Sequence, residues 1–583
     1  MEMPWVFCGP KYILYGPQHS RWGLRMESRY NLAEKLKLIP LGGLNEIGKN
    51  ITVLEYGNDM IVVDCGLGFP EDDMYGVDLV VPDVTYLVKN QQKLRGFFFT
   101  HGHEDHIGGI AYVLNQVNAP LHATRLTAGL IQSKLEEHRL LDKTKMFTHE
   151  AGETVKAGCF KVEFIHVNHS IADAVAFAIH TPVGVIVMTG DFKIDPTPIT
   201  GSIIDLARLG TLGKKGVLAL CCDSTNVERA GYSTSERKVA NTFDEMFKGC
   251  DQRIIVTTFA SNVHRIQTVI NTAAKYGRKV AVTGRSMENI VKVSTELGYM
   301  DVPKGTLVDI NAVKSLPKNK QVIITTGSQG ENMSALYRMA FSGHRQVEIT
   351  AGDRVLISAS AIPGNEKTVS AVINELCRKG AEVVYDKLAD LHVSGHACQE
   401  ELKIMHALVK PKFFIPLHGE QRHLKRHAQL AVEMGMDPKR VIISDIGRVI
   451  ELTRNSAKLA GTVPAGKMLV DGLGVGDVGS VVLRDRKHLA QDGMIVVVVN
   501  LSSEDGAILS GPDIITRGFV YVKESGDLME ELRVIAADAV EECMNSHIKD
   551  WATIKASIKS ALSNYLYKHT KRNPMILPVI MER

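Results

Sequence analysis

The sequence predicts an α/β protein: two packed sheets covered by helices, an inserted parallel-sheet unit, and a small α+β unit at the C-terminus. Three observations predict it. Short apolar runs bounded by Gly, Asn and Asp crowd the stretch from Leu36 to Met188. After about Asn226, strands alternate with helical stretches. Beyond Gly479, a β-branched strand precedes two amphipathic helical patterns.

The runs Leu38-Ile39-Pro40-Leu41, Ile51-Thr52-Val53-Leu54, Met60-Ile61-Val62-Val63 and Phe97-Phe98-Phe99-Thr100 have the length and β-branched or aromatic content of strands. Ile107 to Val117 has helical spacing. Val162 to Val167, Ala174 to Ile179 and Val183 to Met188 continue the strand series. In the second region the strands are Ile254-Ile255-Val256, Val280-Ala281-Val282, Val322-Ile323-Ile324 and Val355-Leu356-Ile357. Helical stretches at 263–275 and 287–297 separate them, which argues for a parallel sheet with crossover helices. Phe413-Phe414-Ile415-Pro416 and Val441-Ile442-Ile443 read as strands that rejoin the first unit. Thr453 to Gly479, rich in Gly and small residues, reads as a linker. Met494 to Val499 is a strand, and Leu528–Met544 and Trp551–Tyr567 are amphipathic helices.

A chain of 583 residues exceeds one hydrophobic core. Hydrophobic residues at 45% and charged residues at 23% are ordinary for a globular protein. The net charge of +3 leaves room for a local basic groove without demanding one. Nine scattered cysteines without a CxxC pair argue against a disulfide framework and a thiolate zinc site, and fit the cytoplasm. No apolar run reaches the roughly 18 residues of a membrane helix. The first thirty residues lack periodicity and a signal-peptide core; with Met26 standing before the first strand, they read as an upstream extension or a disputed start.

The strongest chemical signal is Thr100-His101-Gly102-His103-Glu104-Asp105-His106, directly after an apolar strand. Imidazoles and carboxylates on a strand-to-helix turn can converge on one point and suit zinc and similar first-row metals. Gly102 would let the backbone turn sharply, and Gly108-Gly109 would allow close packing behind. The bland alternative is a His-rich surface loop. His169, Asp191 and His418 each follow an apolar strand, where sites often form. Taken singly, each could be an ordinary loop residue. Asp64, ending Ile61-Val62-Val63, reads as a hydrogen-bonding support rather than a ligand.

HxHxDH followed by a His, an Asp and a distant His resembles the metal signature of the metallo-β-lactamase superfamily. The resemblance implies an αββα sandwich. It implies one zinc on His101, His103 and His169, a second on Asp105, His106 and His418, and Asp191 bridging them. The same ligands can accept Mn2+ or Mg2+. Asp191 and His418 stand 227 residues apart, so something of domain size is inserted. The insertion resembles the β-CASP domain of nucleic-acid nucleases, whose further motifs match Asp223 in Cys222-Asp223-Ser224-Thr225-Asn226, His396 in His392-Val393-Ser394-Gly395-His396-Ala397, and His418. A His at the last motif resembles RNA-acting rather than DNA-acting members.

Four stretches narrow the resemblance to the ribonuclease J family. These are Leu41 to Asn50 (LGGLNEIGKN), Thr258 to Arg265 (TFASNVHR), Thr326 to Glu331 (TGSQGE) and Gly511 to Phe519 (GPDIITRGF). The implied division is an extension over 1–35, a metallo-β-lactamase domain over 36–228 and 386–452, a β-CASP domain over 229–385, the linker over 453–479, and an oligomerising C-terminal domain over 480–583. The implied activity is internal cleavage of RNA together with 5′-to-3′ removal of nucleotides from 5′-monophosphate ends, in RNA maturation and mRNA decay. The implied assembly is a homodimer or homotetramer, with other RNA-decay enzymes as further partners. The stretch His392, Val393, Ser394, Gly395, His396 resembles the pocket for the 5′-phosphate; a turn used only for packing is the alternative. His396 would also give a proton to the leaving oxygen, oriented by Asp223. His264, Arg265, Ser328, Gln329 and Glu331 would line the RNA channel. Glu71, Asp72, Asp73 and Asp78 could hold an additional hard cation such as Ca2+, or form a solvated acidic loop.

Competing readings are a small-molecule metallo-hydrolase, a DNA 5′ exonuclease, and a non-enzymatic RNA-binding scaffold. The insertion with Asp223 and His396 opposes the first, His418 the second, and the intact ligand set the third.

Overall fold

The computed structural model describes residues 35–583 apart from 72, 331–333, 362–364, 473, 505 and 521–525. The N-terminal extension and the candidates Asp72 and Glu331 lie outside the described residues.

Two sheets stack at the centre. One has eight strands in the order Ala457–Thr462, Arg448–Leu452, Leu36–Gly42, Ile51–Tyr56, Asp59–Val63, Leu94–Phe98, Leu121–Thr124, Met146–His149. The other has six: Pro411–Leu417, Val217–Asp223, Gly184–Met188, Val175–Thr181, Phe160–His166, Thr154–Ala157. Alternation along the strands sorts the apolar side chains onto opposite faces. Phe98 enters the core between the sheets with Leu38, Leu54, Phe164 and Phe177, while its neighbours Phe97 and Phe99 turn to the helix-covered outer face. Helices Leu206–Lys215, Gln399–Val409 and Gln421–Glu433 cover the six-stranded sheet through Leu209, Leu402 and Leu430.

The insertion is a five-stranded sheet in the order Lys279–Thr283, Gln321–Thr325, Ile254–Thr257, Arg354–Ile357, Glu382–Tyr385, every pairing parallel. Its core is continuous with that of the first unit: Val256, Ile266 and Met287 share one apolar cluster with Leu126 and Ile131. Helix Arg125–Glu137 lies so close to helix Arg285–Glu296 that a side chain at Gly129 would meet Val293 at 2.9 Å.

Three expectations need correction. The helix over 107–117 is two short helices, Glu104–Ile107 and Ile110–Leu114, divided at Gly108-Gly109, where a side chain on Gly109 would strike the Gly66 carbonyl at 2.5 Å. Of the expected strand at 441–443, Val441 makes a single bridge to Phe414. The stretch 453–479 is no linker. Ala457–Thr462 extends the eight-stranded sheet, and Lys467–Asp471 pairs with Leu79–Pro82. Ala457–Thr462 is a largely exposed edge strand, so it carries no apolar alternation to read.

The C-terminal unit has its own core. Ile495, Val497 and Val499 of strand Met494–Leu501 meet Leu532, Ala536, Ile554, Ile558 and Leu562 of helices Gly526–Asn545 and Trp551–Thr570. Strands Ile508–Arg517 and Met575–Glu582 flank the central strand. Helix Ser480–Asp492, invisible in the sequence pattern, has no fully buried residue. No helix among the described residues is long and apolar enough to cross a membrane.

A chain ending at Gly479 should therefore keep both central sheets and melt cooperatively. A chain ending at Thr453 lacks the three strands Ala457–Thr462, Lys467–Asp471 and Gly474–Val475 and should melt well below it or aggregate. Circular dichroism melts of the two truncations make the comparison.

Candidate metal centre

The site grows out of strand ends. Leu94–Phe98 runs into Thr100-His101, Phe160–His166 into His169, Gly184–Met188 into Asp191, and Pro411–Leu417 into His418. Parallel pairing of Gly184–Met188, Val217–Asp223 and Pro411–Leu417 sets Asp191, Asp223 and His418 side by side. All seven expected ligands converge. The ligand atoms of His101, His103, His169 and Asp191 lie within 4.8 Å of one another, and so do those of Asp105, His106, Asp191 and His418. Asp191, Asp223 and His396 form a third such group.

Hydrogen bonds behind the rings decide which nitrogen faces the centre. His106 Nδ1 donates to Asp64 Oδ2 at 2.8 Å, which leaves Nε2 inward. The Thr100 hydroxyl can only donate to the Asp64 carboxylate, so it accepts from His101 Nδ1 at 3.0 Å. In the same way Thr225 donates to Asp223 Oδ1 at 2.7 Å and accepts from His418 Nδ1 at 3.0 Å. His169 Nδ1 donates to the Gly395 carbonyl at 2.7 Å. Asp64 is thus the support expected of it. Thr100, Thr225 and Gly395 share that role, which is how a metal site fixes tautomer and ring angle. Asp64 and His418 both sit in the left-handed region, with φ of 61° and 53°, where non-glycine residues pay a steric cost.

Burial favours the neutral ring. It holds His101 and His169 well below the ordinary imidazole value, reinforced by neighbouring imidazoles, and brings His103 down to about 4. Burial opposes protonation of His106 and His418 too, but the carboxylates around them outweigh it. Asp191, Asp105 and Asp64 hold His106 well above the ordinary value, and Asp191 with Asp105 lifts His418 to about 9. Against the same burial, His106, His418 and His396 hold the Asp191 carboxyl well below its usual range.

These residues fit a metal ion. With their other nitrogens engaged, His101 Nε2 and His169 Nε2 both face His103 Nδ1, at 3.1 and 3.0 Å. Both spacings approach the edge of a tetrahedron around zinc, about 3.3 Å for ordinary Zn–N bonds. Asp191 is 2% exposed, and its Oδ1 is buried without a hydrogen-bond partner. Its Oδ2 lies 3.2 Å from His106 Nε2 and 3.6 Å from His418 Nε2. His418 Nε2 also lies 3.1 Å from Asp105 Oδ2. Nitrogen and carboxylate donors in this mixture suit zinc-type ions.

Gly102 has no positive φ, so the sharp turn expected of it is not its reason for being glycine. A side chain there would meet Leu130 at 2.6 Å, so close packing is the reason. Beside the donor cluster, His396 Nδ1 donates to Asp223 Oδ2 at 2.8 Å, so the ring is held through Nδ1 and not through Nε2. Burial lowers the His396 pKa, but Asp223 and Asp191 outweigh it and raise it.

The expected channel residues divide. Ser328 and Gln329 sit buried in the turn after strand Gln321–Thr325, at the carboxyl edge of the inserted sheet. His264 Nδ1 bonds Thr200 Oγ1 at 2.5 Å and ties the insertion to the first unit. Arg265 lines no channel, because it is fully buried in an ion pair with Glu236 at 2.6 Å. The acidic loop forms no shared cation cage from its described residues. Glu71 pairs with Lys467 at 2.8 Å, Asp73 with Lys487 at 3.5 Å, and Asp78 Oδ2 accepts from Gly472 N at 2.8 Å. Asn50, whose Nδ2 lies 3.1 Å from His106 Nε2, and Asn226, whose Nδ2 lies 2.7 Å from Ser394 Oγ, also belong to the site, and only their places within LGGLNEIGKN and CDSTN signal them in the sequence.

Fold and site define a metal-dependent hydrolase of the metallo-β-lactamase class with an inserted second domain. Family models agree along the chain: the metallo-beta-lactamase superfamily over 44–210, the ribonuclease J beta-CASP domain over 251–376, the Zn-dependent metallo-hydrolase RNA specificity domain over 381–444, and the ribonuclease J C-terminal domain over 481–583. The chain is 42% identical to ribonuclease J2 of Bacillus subtilis over 549 residues, covering 94% of this chain and 99% of the relative. It is 43% identical to ribonuclease J of Thermus thermophilus over 556 residues, covering 94% and 96%. Among solved structures, a protein of unknown function from Enterococcus faecalis shares the fold at 17% identity and TM-score 0.50, covering 72% of this chain and 100% of that one. The chain belongs to the ribonuclease J family. It is a metal-dependent ribonuclease.

A side chain on Gly395 would come within 2.7 Å of the His169 ring. Gly395→Ala should push that ring off its position and weaken metal affinity by roughly 10–100-fold, the usual cost of losing such support. Competition with a chromogenic chelator measures it, with the thermal melt changing little.

Proposed function

We propose that this chain is a two-zinc ribonuclease that degrades RNA 5′-to-3′ from 5′-monophosphate ends and also cuts internally, in RNA maturation and mRNA decay. The observation that carries the reading is the hydrogen bond from His169 Nδ1 to the Gly395 carbonyl, which joins the His392–His396 turn directly to the ligand cluster. A 5′-phosphate in that turn would lie beside the ions, within reach of the first internucleotide bond. Two bound cations would acidify a shared water and clamp the phosphodiester.

The chain's own residues do the rest. His101, His103 and His169 would hold one ion and Asp105, His106 and His418 the other, with Asp191 belonging to both groups of donors. His396 keeps a proton at Nε2 for the leaving 3′-oxygen, and Asp223 orients the ring through Nδ1 and favours its charged form. Backbone N–H groups and side chains of the turn receive the 5′-phosphate. A pocket fitted to one phosphoryl group excludes a triphosphate by size and by unpaired charge.

The chain would act in the cytoplasm as a homodimer or homotetramer. The eight described cysteines are free, which suits a reducing compartment. The C-terminal helices bury their apolar faces on their own sheet, but the sheet's other face leaves Ile515, Leu577, Val579 and Met581 exposed. A second copy of the same chain is the occupant proposed for this apolar face. The chain ending at Gly479 should then sediment at lower mass.

Zinc-loaded protein should degrade 5′-monophosphorylated RNA at least ten times faster than triphosphorylated RNA, and DNA of the same sequence more slowly still. Asp191→Ala should lose bound metal by elemental analysis and all turnover. Equal rates on the two RNA ends would remove the phosphate reading, and full activity without metal would remove the mechanism. Asp223→Asn takes away the anion that raises the His396 pKa. Protonated His396 should then disappear at lower pH, and the alkaline limb of the kcat–pH profile should shift toward acid by about one unit, the size of a strong single-charge effect.

A further inference from the structure

Behind the His392–His396 turn lie two buried donors outside the ligand cluster. Arg265 is fully buried. A guanidinium has five N–H groups and no acceptor, and each of the five has a partner here. Nε and Nη2 bond Glu236 at 3.4 and 2.6 Å. Nη2 reaches the Val393 carbonyl at 3.4 Å. Nη1 bonds the Ser358 carbonyl at 3.0 Å and His392 Nδ1 at 2.9 Å. The last contact allows only one arrangement: His392 Nδ1 is the acceptor. The ring is therefore neutral, with its hydrogen on Nε2. Burial and the cations Arg265, Arg229 and Lys193 lower its pKa to about 3, in accord with that form.

Asn226 does the same for the hydroxyl of Ser394. Its Nδ2 bonds both Ser394 Oγ at 2.7 Å and the His396 carbonyl at 3.0 Å. The carbonyl can only accept, which settles the orientation of the amide. His396 N also donates to Ser394 Oγ, at 3.2 Å. With two donors on its lone pairs, the hydroxyl must direct its own hydrogen elsewhere.

We propose that Arg265 and Asn226 are positioning residues that saturate the acceptors of the His392 ring and the Ser394 hydroxyl, so that these two side chains present only donors and select an ionised 5′-phosphate over a 5′-hydroxyl. The proposal rests on the turn being the phosphate pocket. Its chemistry is general. A phosphate offers acceptor oxygens alone, and a ring of fixed N–H and O–H donors matches it with no reorganisation. A site whose His and Ser could turn either way would accept a neutral hydroxyl end as readily.

The test is calorimetric binding of uridine 5′-monophosphate and of uridine to the metal-loaded full chain, with His392→Ala as the control for the pocket. Asn226→Ala introduces no charge, and the vacated His396 carbonyl captures the Ser394 hydrogen. Arg265→Lys keeps a cation against Glu236 but cannot fork to His392. Each variant should lower the nucleotide-to-nucleoside affinity ratio by at least tenfold. Nitrogen-15 NMR should show one His392 tautomer, Nε2–H, in the parent chain and a mixture in Arg265→Lys. If Arg265→Lys fails to fold, Asn226→Ala decides alone. If His392→Ala abolishes the ratio while the folded variants keep it within twofold, the pocket stands and the positioning role falls. A parent chain that binds both probes equally overturns the pocket reading itself, and the proposal with it.

Discussion

At the centre of the molecule a carboxylate is held out of water among four histidines. Asp191 is 2% exposed, one of its oxygens has no partner, and the other lies within 3.7 Å of His101, His106, His169 and His418. An uncompensated buried charge costs several kcal/mol, so this geometry is tenable when positive charge stands beside it. Asp191 and its neighbouring carboxylates favour the charged forms of His106 and His418, which offset it in part, and cations would do so more completely. The rest of the site serves that constraint. Asp64, Thr100, Thr225 and Gly395 turn the rings so that the nitrogens left over face Asp191.

The two stacked sheets make such a cluster stable by placing it at strand ends. Phe98, Phe164 and Phe177 lock the sheets face to face, so the loops that follow their strands cannot drift apart. The inserted unit adds a second wall. Its carboxyl edge delivers Ser358 and the buried Arg265 to the back of the His392–His396 turn, and the turn's Gly395 touches His169. Metal cluster and turn are therefore one connected set of hydrogen bonds, although their residues come from stretches hundreds of positions apart.

The acidic loop at 71–78 shows how tertiary context reassigns a sequence feature. Clustered carboxylates near a metal centre look like cation ligands. Here Glu71 and Asp73 face Lys467 and Lys487, and Arg486 reaches the Tyr75 carbonyl at 2.9 Å. Met74, Val77 and Val80 pack with Leu469, Val478 and Leu483 beside them. The loop fastens the C-terminal part of the chain to the first domain.

The sequence by itself pointed to the donors that the fold gathers into one cluster, because HxHxDH places four of them on one short turn and because His169, Asp191 and His418 each follow an apolar run. It determined the alternation of the inserted sheet for the same reason: buried parallel strands are continuous apolar runs, legible without a partner. The tertiary structure alone decided what depends on contacts between distant residues. Ala457–Thr462 forms a strand because the edge of Arg448–Leu452 is there to pair with it, not because of its own pattern. Arg265 sits in a motif stretch with the look of a channel residue, and only the fold shows it buried, with each of its five hydrogens on a different bond. Hydrogen-bond direction is a property of pairs in space. Which nitrogen of each histidine faces the cluster could be settled only once the partners stood within 3 Å or so of one another.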